Sequence, residues 1–387
     1  MPGRAEVPGH VLRIGVLTDE TGPTADNAGA GSVVAARMAA EDAAELLSQI
    51  SIEVIDADHQ NKPDVASAIA REWVQSKGVN VVADVPLSSA ALAVNEALRG
   101  APRAVFIASG PGSSDLTGTK CSPNTIQWTY DTWALANAIA RAMIQEGAKT
   151  WFFVTADYAF GYSLEKDATS FVKALGGAVL GSVRHPVFGS DFSSYLLAAQ
   201  SSGADVIAFA NATGDTINSI KQAHEFGMGQ GKQRLAALLM MIEDVQALGL
   251  ETAQGLYLTE PFYWDLNAGT RAFSERFAAR DGGKRPSMIQ AGVYAGLMHY
   301  FKAVHATGST DAQTVMSAMK ATPTDDPLFG HGSVRPDGRA LHDMYLFRVK
   351  TPSESKGPWD DYNLVRSIPQ QEAFRPLDQG GCPLVGK

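Results

Sequence analysis

A two-lobed α/β protein, each lobe a mainly parallel sheet flanked by helices, is the fold class this 387-residue chain predicts. Three observations predict it. From Val11 to about Val349, short β-branched strands alternate with amphipathic helices, the pattern of parallel strands joined by right-handed crossovers. Breaks near Tyr130, Glu260 and Arg335 look like crossings between two lobes. The length favours two or three domains over one. On this reading residues 11–129 and 260–335 form lobe 1, residues 130–259 and 336–351 form lobe 2, and residues 352–387 are a tail that wraps. A protein so built is suited to closing a cleft on something small.

The elements follow in order. Val11–Leu17 reads as a buried first strand, and Thr18–Asn27 as a loop of Asp, Thr, Gly and Pro. Ala28–Leu47 reads as a helix and Ile52–Ala57 as a second strand. Pro63 suits the first turn of a helix whose buried face is Val65, Ile69, Trp73 and Val74. Then come a strand at Val79–Val85, a helix at Ser88–Leu98, a strand at Arg103–Ala108 and a turn cluster from Gly110 to Ser114. The second set has helices at Trp133–Glu146, Phe160–Leu175, Asp191–Ser201 and Asp215–Phe226. Its strands are Thr150–Thr155, Ala178–His185, Val206–Ala210, Leu235–Met241 and Gly255–Thr259. Two long helices, Ala268–Ala279 and Ser287–His305, follow without an intervening strand, as if the chain had returned to cover the first lobe. Met344–Val349 reads as the last strand.

The net charge of −9 argues against nucleic acid or an anionic membrane as the main partner, although a local site can oppose the global sign. No run approaches the ~18–20 apolar residues needed to span a bilayer. Met1–Pro8 has no apolar stretch, so no signal peptide is visible; either the protein is cytoplasmic or a leader was not included. The two cysteines leave two readings open, a pair of free thiols or one disulfide pinning the tail to lobe 1. Both Cys121 and Cys382 have loop-like flanks, so the disulfide is preferred, and it would imply an oxidising compartment.

Enzyme motifs are poorly represented. Gly29-Ala30-Gly31 lacks the third glycine of a dinucleotide fingerprint, and neither a Walker lysine motif nor Gly-x-Ser-x-Gly occurs. The histidines (His10, His59, His185, His224, His299, His305, His331, His342) show no metal-ligand spacing, and there is no Cys-x-x-Cys. No cofactor, metal or catalytic residue is expected.

In an open parallel sheet, ligands bind beyond the carboxyl ends of the strands. The residues to read are therefore Asp19–Asn27, then Pro86, Ser88 and Ser89, then Ser109–Ser113, and in the second set Ala156–Gly161, Asn211–Asp215 and Met241–Asp244. Ser88, Ser89, Ser109, Ser113 and Thr213 stand at helix starts, where free N–H groups favour an anion; plain N-capping is the competing reading. Aromatic residues cluster nearby, with core packing as the alternative to a binding wall. Tyr158 and Phe160 are the best candidates, because they follow a strand and flank a turn ending at Gly161.

These stretches resemble the type I periplasmic solute-binding proteins of ABC importers, of the leucine/isoleucine/valine-binding kind. The resemblance covers roughly residues 11–350. It is carried by Ile14-Gly15-Val16 running into Thr21-Gly22-Pro23, by Ile107 to Asp115-Leu116-Thr117, and by Asp157-Tyr158-Ala159-Phe160-Gly161. Asp191-Phe192-Ser193 and Ala253-Gln254-Gly255-Leu256 also fit. The resemblance implies a type I periplasmic-binding fold with three crossover hinge segments, and the absence of a catalytic role. It places ligand contacts on Asn27, Ser88, Ser89, Ser109, Gly110, Pro111, Gly112, Phe160, Asn211, Ala212 and Asp215. Asp26, Tyr130, Tyr158, Met241, Glu243 and Asp244 are neighbours added by inference.

Three departures bear on the ligand. Glycine stands at Gly112, where the amino-acid binders carry a threonine, and Ala212 replaces a tyrosine. The acid that pairs a ligand ammonium has no clear match, the aligned stretch being Leu238–Ile242 with Glu243 and Asp244 just beyond. A buried ammonium without a partner is costly. The expected ligand is therefore a small organic carboxylate, aromatic in the sharpest form of the reading, rather than an ordinary branched-chain amino acid. The expected setting is the periplasm, with a small-molecule ligand and ABC permease subunits as partners and the chain a monomer. The rivals are a sensor domain feeding a signalling partner and, further off, a two-domain α/β enzyme.

Overall fold

The computed structural model describes residues 11–229 and 231–386. The stretch in which a leader was sought and His10 lie outside them. The chain falls into two compact units and passes from one to the other after Tyr130, Pro261, Asp343 and Phe374.

Unit 1 begins with β1 (Val11–Thr18), α1 (Gly29–Ala43), β2 (Ser51–Asp58), α2 (Pro63–Glu72), β3 (Val79–Asp84), α3 (Ser88–Ala97), β4 (Val105–Ala108) and β5 (Thr125–Gln127). The five strands form one sheet in the order β2-β1-β3-β4-β5, every pair parallel. β3 and β4 are buried along their whole length, which is why they read as unbroken apolar runs. Strand order reverses between β1 and β3, the point where α/β sheets open a crevice at their carboxyl ends.

Unit 2 takes α4 (Thr132–Gln145), β6 (Thr150–Ala156), α5 (Ala159–Ala174), β7 (Ala178–His185), α6 (Ser193–Ser201), β8 (Val206–Ala210), α7 (Thr213–Glu225), β9 (Arg234–Ala237), α8 (Ile242–Leu248), α9 (Leu250–Ala253) and β10 (Tyr257–Glu260). Its parallel sheet runs β7-β6-β8-β9, and its switch point lies between β6 and β8. The strand expected over Leu235–Met241 stops at Ala237. The following apolar run turns and enters α8, whose first turn is closed by Asp244 accepting from Met241 N at 2.9 Å.

The chain then returns to unit 1 with α10 (Ala268–Ala278), α11 (Met288–Thr307), α12 (Ala312–Ala321), β11 (Ser333–Val334) and β12 (Ala340–Leu341). Arg335, where a crossing was expected, closes the tight turn between β11 and β12; its N–H donates to Arg339 O at 2.9 Å. The chain leaves unit 1 only after Asp343. In unit 2, β13 (Met344–Val349) pairs antiparallel with β10 and with β14 (Tyr362–Ile368). The region beyond Pro352, expected only to wrap, thus supplies a strand. Four of its seven residues are exposed, so it carries no run of buried apolar positions to announce it. The last segment belongs to unit 1, where Cys121 and Cys382 form the disulfide preferred above, Cα to Cα 5.6 Å.

Candidate functional site

In unit 1 the candidates gather on the loops beyond β1, β3 and β4. The loop after β1 is organised by Asp19, whose carboxylate accepts from Gly22 N (2.8 Å), Thr24 N (2.8 Å) and the Thr24 hydroxyl (2.7 Å). That folds the chain back so that Asn27, buried, lies beside the start of α11. Its carbonyl accepts from the Ser287 hydroxyl at 2.6 Å. Asp26 is exposed and pairs with Lys284 at 3.2 Å.

The turn after β3 is strained. Asp84 has φ +80° and Val85 φ +58°, a left-handed conformation that a β-branched residue rarely adopts. Asp84 is fully buried and accepts from the Thr18 hydroxyl at 2.8 Å. Burial pushes its carboxyl up to about 7, against the pull of the Ser32 and Thr18 hydroxyls. Gly110 lies on this turn. A Cβ there would come 2.6 Å from Pro86 Cα and 2.8 Å from Asp84 Oδ1, so only glycine lets the β4 loop approach. Tyr130 donates its hydroxyl to Gly110 O at 2.6 Å and holds the loop from the other side.

N-capping does not account for the serines of α3. The N-cap is Leu87, without a side-chain bond; Ser88 and Ser89 are the first two residues of the helix. The Ser88 hydroxyl instead accepts from Ser113 N at 3.2 Å, tying the β3 and β4 loops together, and Ser89 is half-buried. Ser113 does cap, accepting from Asp115 N. Ser109 is 1% exposed at the end of β4, and its hydroxyl has no hydrogen-bond partner among the described residues. Pro111 and Gly112 are buried beside it.

In unit 2 the candidates again follow the switch-point strands. Tyr158 and Phe160 open α5 after β6, their rings 6.1 Å apart. Tyr158 is half-buried and Phe160 is 2% exposed. Burial and the nearby Asp215 carboxylate both push the Tyr158 hydroxyl's pKa up. Gly161 packs on the end of β6, where a Cβ would stand 2.1 Å from Ala156 O.

Beyond β8, Asn211 is buried and its side chain is engaged within the unit. Its Oδ1 accepts from the Thr216 hydroxyl (2.9 Å), and its amide donates to Ser219 Oγ (3.1 Å) and His185 Nε2 (3.2 Å). The other ring nitrogen of His185, Nδ1, lies 2.9 Å from Pro186 O. Asp215 accepts from Phe188 N (3.0 Å) and Gly189 N (2.9 Å); burial raises its carboxyl, against those two N–H groups. Asn211 and Asp215 thus shape the loops more than they offer free groups. Ala212 is the N-cap of α7 and precedes Thr213, held at φ +51°. Met241 and Glu243 stand at the start of α8, both buried, and Asp244 caps that helix.

Three features escaped the sequence reading. Asp84 was not singled out, though an acid closing an apolar strand is a signal of a buried carboxyl. Glu260, the last residue of β10, is buried, accepts from the Tyr362 hydroxyl at 2.9 Å, and has its carboxyl raised well above the usual range by burial. Arg285 lies on the loop before α11 with its guanidinium over the Trp264 ring.

The description "Periplasmic binding protein" belongs to the family model that matches residues 11–358. A Leu/Ile/Val-binding protein homolog 6 of Brucella suis is 28% identical over 352 residues, covering 88% of this chain and 87% of that protein. A crystal structure of a periplasmic binding protein from Burkholderia mallei has TM-score 0.93 and 46% identity, over 97% of this chain and 99% of that one. A branched chain amino acid ABC transporter periplasmic ligand-binding protein from Burkholderia xenovorans has TM-score 0.86 and 38% identity, over 96% and 99%. A Rhodopseudomonas palustris solute-binding protein in complex with benzoate shares the fold at TM-score 0.83 and 20% identity, over 96% and 99%. With two doubly wound units, candidate loops at both switch points and a family match over nearly all the described residues, the chain belongs to the periplasmic binding proteins, the solute-binding components of ABC transporters.

Proposed function

We propose that the chain captures a small organic carboxylate for an ABC importer in the periplasm. The observation that carries the anion is Ser109: a buried hydroxyl with no hydrogen-bond partner among the described residues, at the carboxyl end of β4 and followed by the backbone N–H groups of Gly110 and Gly112. A buried donor left unmade is costly, and a bound carboxylate satisfies it. Tyr158 and Phe160 suit the apolar part of the ligand. Asp244 is taken up in capping α8, which supports a ligand without an α-ammonium. The Cys121–Cys382 disulfide supports an oxidising compartment. Recognition then works by shifting a population of conformers that the permease reads, with no bond made or broken.

The test is a thermal-shift panel of benzoate, 4-hydroxybenzoate, short aliphatic acids and leucine. Ligand at ~100 times its dissociation constant adds about 2.7 kcal/mol, enough to raise the midpoint by several degrees. A shift with the simple carboxylates and not with leucine is expected; a shift confined to leucine would assign an acid such as Glu260 or Asp244 to the ammonium and overturn the ligand class. Phe160 is too buried for a clean test, because removing its ring opens a cavity worth about 3–5 kcal/mol. Tyr158→Ala is the better variant. It should weaken the binding of a ligand found in the panel by about tenfold while the free protein melts within a few degrees of its parent. Unchanged affinity removes Tyr158 from the site.

A further inference from the structure

We propose that Arg285 is the cationic anchor for the ligand's carboxylate on unit 1, a role no motif assigns. The inference rests on the carboxylate reading above. The loop that carries Arg285 and the first turn of α11 after it are bound to the candidate loop after β1 through three residues. Lys284 pairs with Asp26 at 3.2 Å, Ser287 donates to Asn27 O at 2.6 Å, and Gln290 donates to Asp26 O at 3.3 Å and Ala28 O at 3.1 Å. The backbone that carries Arg285 is thereby held beside the loop that follows β1. Gly31 is cut to fit this junction, since a Cβ there would lie 2.2 Å from the Gln290 amide nitrogen.

The guanidinium itself is prepared for an anion. It lies over the Trp264 ring, 4.3 Å from the centroid, a contact that does not use its N–H donors on an oxygen. Among the described residues no carboxylate is within ion-pair distance of it, whereas its neighbour Lys284 is paired. A planar, aromatic-backed guanidinium with open N–H groups matches a carboxylate's two oxygens. The chain's net charge of −9 repels anionic ligands at long range, so a fixed local cation has a task that the backbone N–H groups of Gly110 and Gly112 do not fill.

The experiment uses the full chain with benzoate and leucine as probes, titrated against the parent, Arg285→Ala and Arg285→Lys. For whichever acid the parent binds, Arg285→Ala should raise the dissociation constant about 10- to 100-fold, and Arg285→Lys should recover part of the loss. Added salt should weaken the parent's binding more than that of Arg285→Ala, which a purely structural role would not produce. The ligand-free melting midpoint should fall by no more than a few degrees, because among the described residues Arg285 holds no carboxylate and loses only its contact with Trp264. If the parent binds and Arg285→Ala binds within twofold of it, the inference is overturned while the carboxylate reading stands. If the parent binds neither probe nor any other acid of the panel, both fall together.

Discussion

Asp84→Asn should be more stable than the parent protein above pH 7 and should lose that advantage as the pH falls to about 4. The carboxyl is buried and pushed up to about 7, whereas an unfolded aspartate titrates near ~3.9. Between those values the folded chain keeps a proton that the unfolded chain has released. Raising the pH through this window therefore favours unfolding, by about 1.4 kcal/mol per unit. Below the window both states are protonated and the residue costs nothing. Above it the folded state carries a buried charge, and the cumulative penalty approaches about 4 kcal/mol. Asparagine keeps the size, an acceptor for the Thr18 hydroxyl and tolerance of the φ of +80° at this position. It removes only the ionisation, so the difference between variant and parent isolates this one group from every other titrating residue. Urea midpoints of both proteins at four values from pH 4 to 8.5 make the comparison. Parallel profiles would mean that Asp84 is either ionised throughout or solvated in a way its burial does not suggest. Because Asp84 and Pro86 are the surface against which Gly110 rests, the same titration should be felt at the loop assigned to the ligand.

What could be read from the sequence depended on how far its signal was local. Strands such as β8 and β7 were legible to the residue because a buried apolar run, or a clear alternation, ends at a polar turn. The loops after the switch-point strands were legible for the same reason, and with them Tyr158, Phe160 and the serines of α3. The run from Leu238 to Ile242 was not: a short apolar stretch fits a strand and a helix start equally well, and the outcome was decided by Asp244 reaching back to Met241 N. β14 was missed because it is a half-exposed edge strand and lacks both patterns. Arg285 was out of reach for a different reason. Its neighbour Lys284 pairs with Asp26, 258 residues earlier, and only folding brings the Arg285 loop to the loop after β1. Asn211 marks the opposite limit: its position was evident, but that His185, Thr216 and Ser219 would engage its side chain was not.

Arg339→Met should destabilise the protein by about 3–5 kcal/mol, a loss normally reserved for a core cavity. Arg339 is 0% exposed and anchors the edge of the unit 1 sheet. Its side chain donates to Ala340 O and Tyr130 O, each at 2.9 Å, and to Trp128 O. The Trp128 carbonyl also faces His342 Nε2 at 3.0 Å, and burial, with the Arg339 charge, drives that imidazole down to about 4. The ring is therefore neutral at pH 7 and cannot take over as a cation. The same turn extends the sheet past β5: Gln127 donates to Gly338 O at 2.9 Å, and Gly338, at φ +88°, sits where a Cβ would come within 2.3 Å of Thr125 O. Removing the guanidinium takes a donor from three buried carbonyls next to the point where the chain leaves unit 1. Each such group costs about 1–3 kcal/mol, so the total exceeds what the methionine's apolar contacts can return. Lysine keeps the charge but has one compact head for carbonyls spread around a planar fork, so Arg339→Lys should recover less than half of the loss. Equilibrium unfolding of the three proteins decides it. A loss below about 1 kcal/mol for Arg339→Met would show that water enters and satisfies the carbonyls.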